Sequence, residues 1–304
     1  MKYSVTVGIP AYNEGQNIKS LIKSILSQKQ ISFNLDKIIV INDNSVDDTE
    51  EKVKLLSKKY KKINLISDFQ RKGKAERTNQ LFQLNKSNIL ILFDGDVVCS
   101  DENVINNMLK NFKEEKVVLV GANKVPTNPE STIEKLITAW DWLWYEIRKD
   151  ISNGNNVHNF SSCAFAIKKP FAKNLKCPTG PQSITKYLYF SAVQAKLKIA
   201  FAKDSTVIFR LPNNLHDYLS QIKRFKKTHQ KNASLFGDWV YEYYKIPFKN
   251  KVKGTIEATI NHPALTISSI VFHLIIRILP IGNSHYNNIG LWETVQSSKR
   301  EIVL

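Results

Sequence analysis

Asp94-Gly95-Asp96 closes the apolar run "ILILF" and sets two carboxylates one residue apart where a strand should end. Carboxylates in that position suit a hard divalent cation, since magnesium and manganese take oxygen ligands and are commonly held by one or two acids plus the phosphates of a substrate. Two further acidic segments stand in equivalent places: Pro10 to Glu14 follows "YSVTVGI", and Asp43 to Asp47 follows "KIIVIN". The plainer reading of the Asp-Gly pair is a turn, and Glu14 and Asp43 can equally serve as helix caps or turn residues.

The surrounding elements decide whether these segments meet. "YSVTVGIP" reads as a strand, and "NIKSLIKSIL" spaces Ile18, Leu21, Ile22, Ile25 and Leu26 as the buried stripe of a helix. "KIIVIN" is a second strand, "DDTEEKVKLLSKKY" a helix, "INLI" a third strand, "KAERTNQLFQL" a helix and "NILILF" a fourth strand. Strands apolar on both faces and separated by helices predict an α/β fold, a Rossmann-like, mostly parallel sheet flanked by helices. Ligands bind such sheets at the carboxyl ends of the strands, so the three acidic segments should gather on one edge.

With 304 residues, 42% of them hydrophobic, the chain can bury a full core. Lys and Arg outnumber Asp and Glu by 44 to 27, and the resulting +17 favours anionic partners: phosphorylated substrates, an acidic membrane face or nucleic acid. The lysines are dispersed, and no zinc-finger spacing, RNA-recognition signature or Gly-x-x-Gly loop is present, so no nucleic-acid partner is expected. Cys99, Cys163 and Cys177 are odd in number and fit no metal or redox spacing, which points to a reducing, cytoplasmic compartment. "MKYSVTVGIP" lacks the apolar core of a signal peptide and reads as the first strand.

Taken together and in order, "VGIPAYNEGQNI", "IIVINDNSVDDT", "RKGKAERTNQ" and "FDGDVV" resemble glycosyltransferase family 2, nucleotide-sugar-dependent enzymes of the GT-A fold. The resemblance is specific over residues 4 to 100 and looser to residue 230. It implies a nucleoside diphosphate sugar as donor, with uracil favoured over guanine, and an acceptor that is a glycan, lipid or anionic group in polysaccharide or glycolipid synthesis. It also implies that Pro10, Tyr12, Glu14 and Asp43 line the nucleoside site, that Gly73 and Lys74 lie near the nucleotide, and that Asp94 and Asp96 form a DxD motif for Mn2+ or Mg2+. Lys72 and Lys74 would add positive charge where the diphosphate leaves, or else form a solvated charge run at a helix start.

The second half departs from the family pattern. The acidic pair that usually supplies the base should fall near Ile184 and Thr185, yet no Asp or Glu occurs from Ile151 to Lys203, a stretch with eight lysines. His158 is a candidate base because imidazole titrates near neutral pH, with Asp141 and Asp150 as alternatives. A retaining mechanism would need no comparable base, and a catalytically inactive sugar-nucleotide-binding relative would need none. The lysines could instead receive an anionic acceptor. "QIKRF" resembles the QxxRW motif through Gln221 and Arg224, but Phe225 replaces its tryptophan. Trp140 and Trp144, one turn apart, share a helix face suited either to packing or to stacking on a sugar.

Residues 263 to 281, "PALTISSIVFHLIIRILPI", are nearly long enough to span a bilayer. Thr266, Ser269, His273 and Arg277 form a polar stripe at helical spacing and leave a broad apolar face. Such a helix lies at a membrane interface, spans it, or packs on the protein. The expected organisation is a nucleotide-sugar-binding half over residues 1–125, an acceptor-binding half of the same domain over 126–235, and a C-terminal appendage over 236–304. No oligomeric state follows from the sequence.

Overall fold

A computed structural model describes residues 2–179, 183–225, 228–278 and 295–302, the side chains of residues 224 and 225 excepted. The first half alternates as the sequence predicts: β1 Tyr3–Ala11, α1 Ile18–Leu26, β2 Phe33–Asn42, α2 Thr49–Lys59, β3 Ile63–Ser67, α3 Lys74–Leu84 and β4 Ile89–Phe93. There follow β5 Val97–Cys99, α4 Val104–Leu109, β6 Val117–Pro126, α5 Thr132–Arg148, β7 Ala164–Lys168, α6 Lys169–Lys173, α7 Ile184–Gln194 and β8 Lys198–Phe209. Helices α8 Leu215–Phe225, α9 Thr228–Phe236, α10 Val240–Tyr244, α11 Phe248–Asn261 and α12 Pro263–Ile278 complete the order.

All eight strands form one sheet in the order β3-β2-β1-β4-β7-β6-β8-β5. β1, β2, β3 and β4 run parallel, as do β6 and β8, while β7 is antiparallel to both its neighbours and β5 antiparallel to β8. Every residue of β4 is buried, because helices cover both faces there. The division expected at residue 125 falls at the end of β6, within this continuous sheet.

Only residues 94–96 separate β4, in the middle of the sheet, from β5, at its edge. In a flat sheet those positions would lie about 19 Å apart, whereas the chain from residue 93 to 97 reaches about 14 Å when fully extended. The sheet must therefore curl. The bend shows in the ladder between β6 and β8, where Ala122 pairs with Ala202 but the next residue, Asn123, pairs with Thr206.

Helix α5 starts from a reciprocal cap: Glu134 N–H donates to Ser131 Oγ at 3.1 Å, and Ser131 N–H to Glu134 Oε2 at 2.9 Å. Against it lie α11 and α12. Gly254 permits the α11 crossing, since a Cβ there would come within 2.5 Å of the Ile147 backbone. On α12 the polar stripe turns inward. Thr266, Ser269 and His273 are buried, and Ser269 Oγ donates to the Leu136 carbonyl at 2.7 Å. Arg277 is exposed. Residues 279–281 of the stretch expected to be apolar lie outside the described residues. No helix among the described residues is long and apolar enough to cross a membrane.

Candidate functional site

The carboxyl ends of β1, β2 and β4 open into a cavity of about 600 Å3, whose lining includes Pro10, Tyr12, Glu14, Asp43, Asp94 and Asp96. The three acidic segments thus meet at one sheet edge. The ladder between β4 and β7 continues one residue past Phe93, because Asp94 N–H donates to the Cys163 carbonyl at 3.0 Å. Asp94 is held further by Ser162 Oγ at 3.1 Å and by an ion pair with Lys74. Glu14 packs directly over Gly95, where a Cβ would fall 2.4 Å from Glu14 Cγ, so only glycine leaves room there for the Glu14 side chain.

This concentration of acid has electrostatic consequences. Burial pushes the Glu14 carboxyl up to about 8, and Asp96 and Asp94 add to the rise while Lys299 opposes it. Asp96 is likewise raised by burial and by Asp94. Glu14 Oε2 is buried and finds no hydrogen-bond partner among the described residues. Carboxyls driven toward the neutral form by burial, and further by one another, are ones a divalent cation would return to the charged form, so the residues present fit such an ion. Among the described residues no group of three or more His, Cys, Asp or Glu could enclose a metal by itself. A cation here would rest on two aspartates and complete its shell from a ligand.

Asp43 plays a different part. Its carboxylate accepts from Lys72 N–H and Gly73 N–H, each at 2.8 Å, and from Arg77 Nε at 2.6 Å. Arg77 is almost wholly buried and also donates to Asp68, Gln80 and the Gln70 carbonyl. The 70–73 loop is thereby fixed over the cavity, with Gly73 and Lys74 on its wall. The loop also places the Arg71 guanidinium 3.7 Å from the centre of the Tyr12 ring. Arg71 and Arg77 both lie in "RKGKAERTNQ", but helical and loop arginines read as solvated, and nothing in their spacing marks them as buried partners.

Across the cavity stand Lys124, Trp140, Asp141, Tyr218 and Gln221. Burial alone would raise the Asp141 carboxyl, but Lys124 at 3.0 Å and Arg148 more than offset it and hold it below its ordinary value. Trp140 stacks on His273 at 3.9 Å and meets Trp144 edge-on at 6.1 Å. His273 Nδ1 lies 2.8 Å from the Ser269 carbonyl, which only accepts. Nδ1 therefore carries the proton, and Nε2 accepts from Tyr218 Oη at 2.6 Å.

His158 is not among the residues lining this cavity. It faces Tyr244 at 6.1 Å, and burial, with Lys186 and Arg148 near, brings its imidazole down to about 4. Asp150 is engaged at the surface by Lys253 at 2.6 Å. The backbone of Arg224 belongs to α8, and its side chain lies outside the described residues. The lysines between Ile151 and Lys203 do not line the cavity either: Lys168 and Lys169 bond the Glu115 and Lys86 carbonyls, and Lys198 pairs with Glu114.

One contributor has no signal in the sequence. Residues 295–302 return as a strap along the cavity, and Lys299 donates to the Tyr12 carbonyl at 2.5 Å, the Asn13 carbonyl at 3.0 Å and Glu14 Oε1 at 2.6 Å. Glu14 and Lys299 are 285 residues apart, and only the fold brings them together.

Comparison with known proteins agrees with this architecture. The family profile described as "Glycosyl transferase family 2" matches residues 6–175. The chain is 30% identical over 121 residues to the dolichol-phosphate mannosyltransferase of Pyrococcus furiosus, covering 40% of this chain and 33% of that protein. It is 27% identical over 126 residues to glycosyltransferase AglE of Haloferax volcanii, covering 41% and 40%. The matched part is therefore well under half the length of these curated relatives. In fold, the chain is similar to mannosyltransferase PcManGT from Pyrobaculum calidifontis, solved with GDP-Man and Mn2+, at a TM-score of 0.61 and 16% identity over 92% of this chain and 78% of that one. It is also similar to glucosyl-3-phosphoglycerate synthase from Mycobacterium tuberculosis, solved with Mn2+, UDP and phosphoglyceric acid, at a TM-score of 0.51 and 20% identity over 73% and 77%. At those identities the likeness is one of fold.

Proposed function

The chain belongs to glycosyl transferase family 2, and from that premise we propose that it transfers a sugar from a nucleoside diphosphate donor to a hydroxyl or phosphate acceptor in building a polysaccharide or glycolipid. One observation carries the reading: Asp94, Asp96, Lys74, Asp43 and Tyr12, from separate strands and loops, line a single cavity at the carboxyl edge of the sheet. A uridine diphosphate sugar is the favoured donor, as the family resemblance implies, and a guanosine diphosphate sugar is the alternative.

Tyr12, with Arg71 against its ring, and the loop fixed by Asp43 are suited to hold the nucleoside, and Lys74 to meet the diphosphate. As the bond to the anomeric carbon breaks, negative charge grows on the phosphate oxygens. A manganese or magnesium ion held by Asp96 and Asp94 would supply Lewis-acid stabilisation of that charge. Of the acids considered for the base, Asp141 is favoured over His158 because it lines the cavity and is kept ionised by Lys124 and Arg148. In that role it takes the proton of an acceptor hydroxyl. A phosphate acceptor is already ionised and needs no base, while Lys124 and Arg210 on the same wall would attract it. Gln221, and Arg224 by its place one turn further along α8, are proposed to contact the donor or acceptor.

Phe248, Val252, Ile256 and Ile260 of α11 and Ile267, Val271, Leu274, Ile275 and Ile278 of α12 are all exposed, while the polar stripe of α12 is buried against α5. Lys245, Lys249 and Lys251 stand exposed at the start of α11. Apolar faces of this extent on neighbouring helices, flanked by cations on a strongly basic chain, fit an anionic membrane interface. The unpaired cysteines favour its cytoplasmic side.

Calorimetric titration with UDP and GDP, with and without Mn2+, on the wild type and Asp96→Ala tests the donor site. Manganese-dependent binding of one nucleotide, lost in the variant, is expected. Binding without any hydrolysis of the matching sugar nucleotide would favour the inactive, sugar-nucleotide-binding alternative, and binding of neither would overturn the proposal.

A further inference from the structure

Residues 295–302 are held by three separate parts of the fold. Asn17 Nδ2 donates to the Lys299 and Arg300 carbonyls at 2.8 and 3.1 Å, and Ile302 N–H returns to Asn17 Oδ1 at 2.9 Å. Ser297 donates through both N–H and Oγ to Asp217 Oδ2 of α8. Arg300 pairs with Glu130 and Glu134 at the start of α5. Ile302 is buried. The position of Lys299 is therefore set by the fold and not by a solvated tail.

Its ammonium spends its three N–H donors on two carbonyls and Glu14 Oε1, and the ion pair is largely shielded, with side-chain exposures of 13% for Lys299 and 10% for Glu14. Glu14 in turn lies over Gly95, and Lys299 lines the same cavity as Asp94 and Asp96. The charged groups beside it are Asp94 and Asp96 against Lys74 and Lys299, while burial holds the Glu14 carboxyl toward its neutral form. One unit of charge in so shielded a place acts strongly on whatever enters.

We propose that Lys299 is the positioning residue that sets the order of charge in the donor site, disfavouring a lone divalent cation and favouring a cation that arrives with a nucleoside diphosphate. The inference rests on the donor-site reading above. A free cation is repelled by the ammonium, whose one positive charge offsets part of the attraction of Asp94 and Asp96. A diphosphate brings negative charge that the ammonium attracts. The two effects have opposite signs, which a purely structural role cannot produce. Loss of a strap anchor alone would loosen the Tyr12–Glu14 turn and weaken cation and nucleotide together.

The test is binding of Mn2+ alone, followed by electron paramagnetic resonance of the free ion, and calorimetric binding of UDP and GDP at saturating Mn2+. Wild type, Lys299→Met and Lys299→Arg are compared. Lys299→Met is expected to bind Mn2+ about tenfold more tightly and the nucleotide about tenfold more weakly, with both restored by Lys299→Arg. If Lys299→Met does not fold, Lys299→Gln, which keeps an N–H donor for the Tyr12 and Asn13 carbonyls, carries the same expectation. Weakening of both ligands together, or no change in either, overturns the inference. A wild type that takes up Mn2+ but neither nucleotide overturns instead the donor reading beneath it.

Discussion

Arg77 shows how far a single side chain governs the site. Nearly all of its surface is buried, and it is the charged partner of Asp43. Arg77→Met leaves that carboxylate without its counter-ion, a loss of about 3–5 kcal/mol for a buried pair, measurable by urea denaturation, and nucleotide affinity should fall with the loosened 70–73 loop. Asp141→Asn should act on chemistry alone: turnover with a hydroxyl acceptor falls about 100-fold or more, while calorimetric nucleotide affinity is unchanged. Full activity in that variant would place the base elsewhere. Lys186 supplies a pH signature. It donates to the Val157 and Phe160 carbonyls, and burial, with Arg148 and Lys124 near, brings it from 10.5 down to about 7. Between those values the unfolded chain holds the extra proton, so wild-type stability should rise with pH by up to about 1.4 kcal/mol per unit, a slope that Lys186→Met removes. The acids of the site were legible because carboxylates after apolar runs are unusual and fall at strand ends. Arg77 and Lys299 were not, since a cation on a helix or near a chain end carries no local mark of burial.

At the scale of elements, the first four strands and three helices follow the periodicity of the sequence closely, because long apolar strands alternating with amphipathic helices leave few competing arrangements. The short strands are another matter. β5 has three residues, too few for a pattern, and the antiparallel pairing of β5 and β7 depends on a curl that only the whole sheet defines. In α12 the stripe of Thr266, Ser269 and His273 was visible from spacing, but its direction was not. It points into the protein because Leu136 and Tyr218 offer it hydrogen-bond partners. The apolar face that remains outward makes a clear prediction. Ile256→Glu with Ile267→Glu should release the protein from phosphatidylglycerol vesicles in co-sedimentation while leaving nucleotide binding intact, and retention on the vesicles would count against the membrane surface.

For the whole molecule, the C-terminal region serves two places at once. α11 and α12 present the apolar face, whereas residues 295–302 reach the cavity at the sheet edge through Lys299. Deleting everything after residue 262 would therefore disturb membrane binding and donor binding together, and point substitutions on the outer face separate them. The charge of +17 belongs to this scale too, since it strengthens attraction to any anionic surface and weakens with salt.

The short connection between β4 and β5 has a further consequence. Residues 94–96 act as a clasp: they fasten the centre of the sheet to its free edge, and they are also the residues a donor complex would grip. Opening the edge and emptying the cavity then become one equilibrium, and any ligand held by Asp94 and Asp96 must, by mass action, oppose the peeling of β5 from β8. Amide hydrogen exchange at Val97–Cys99 should slow when nucleotide and Mn2+ bind, although no atom of those three residues needs to touch either.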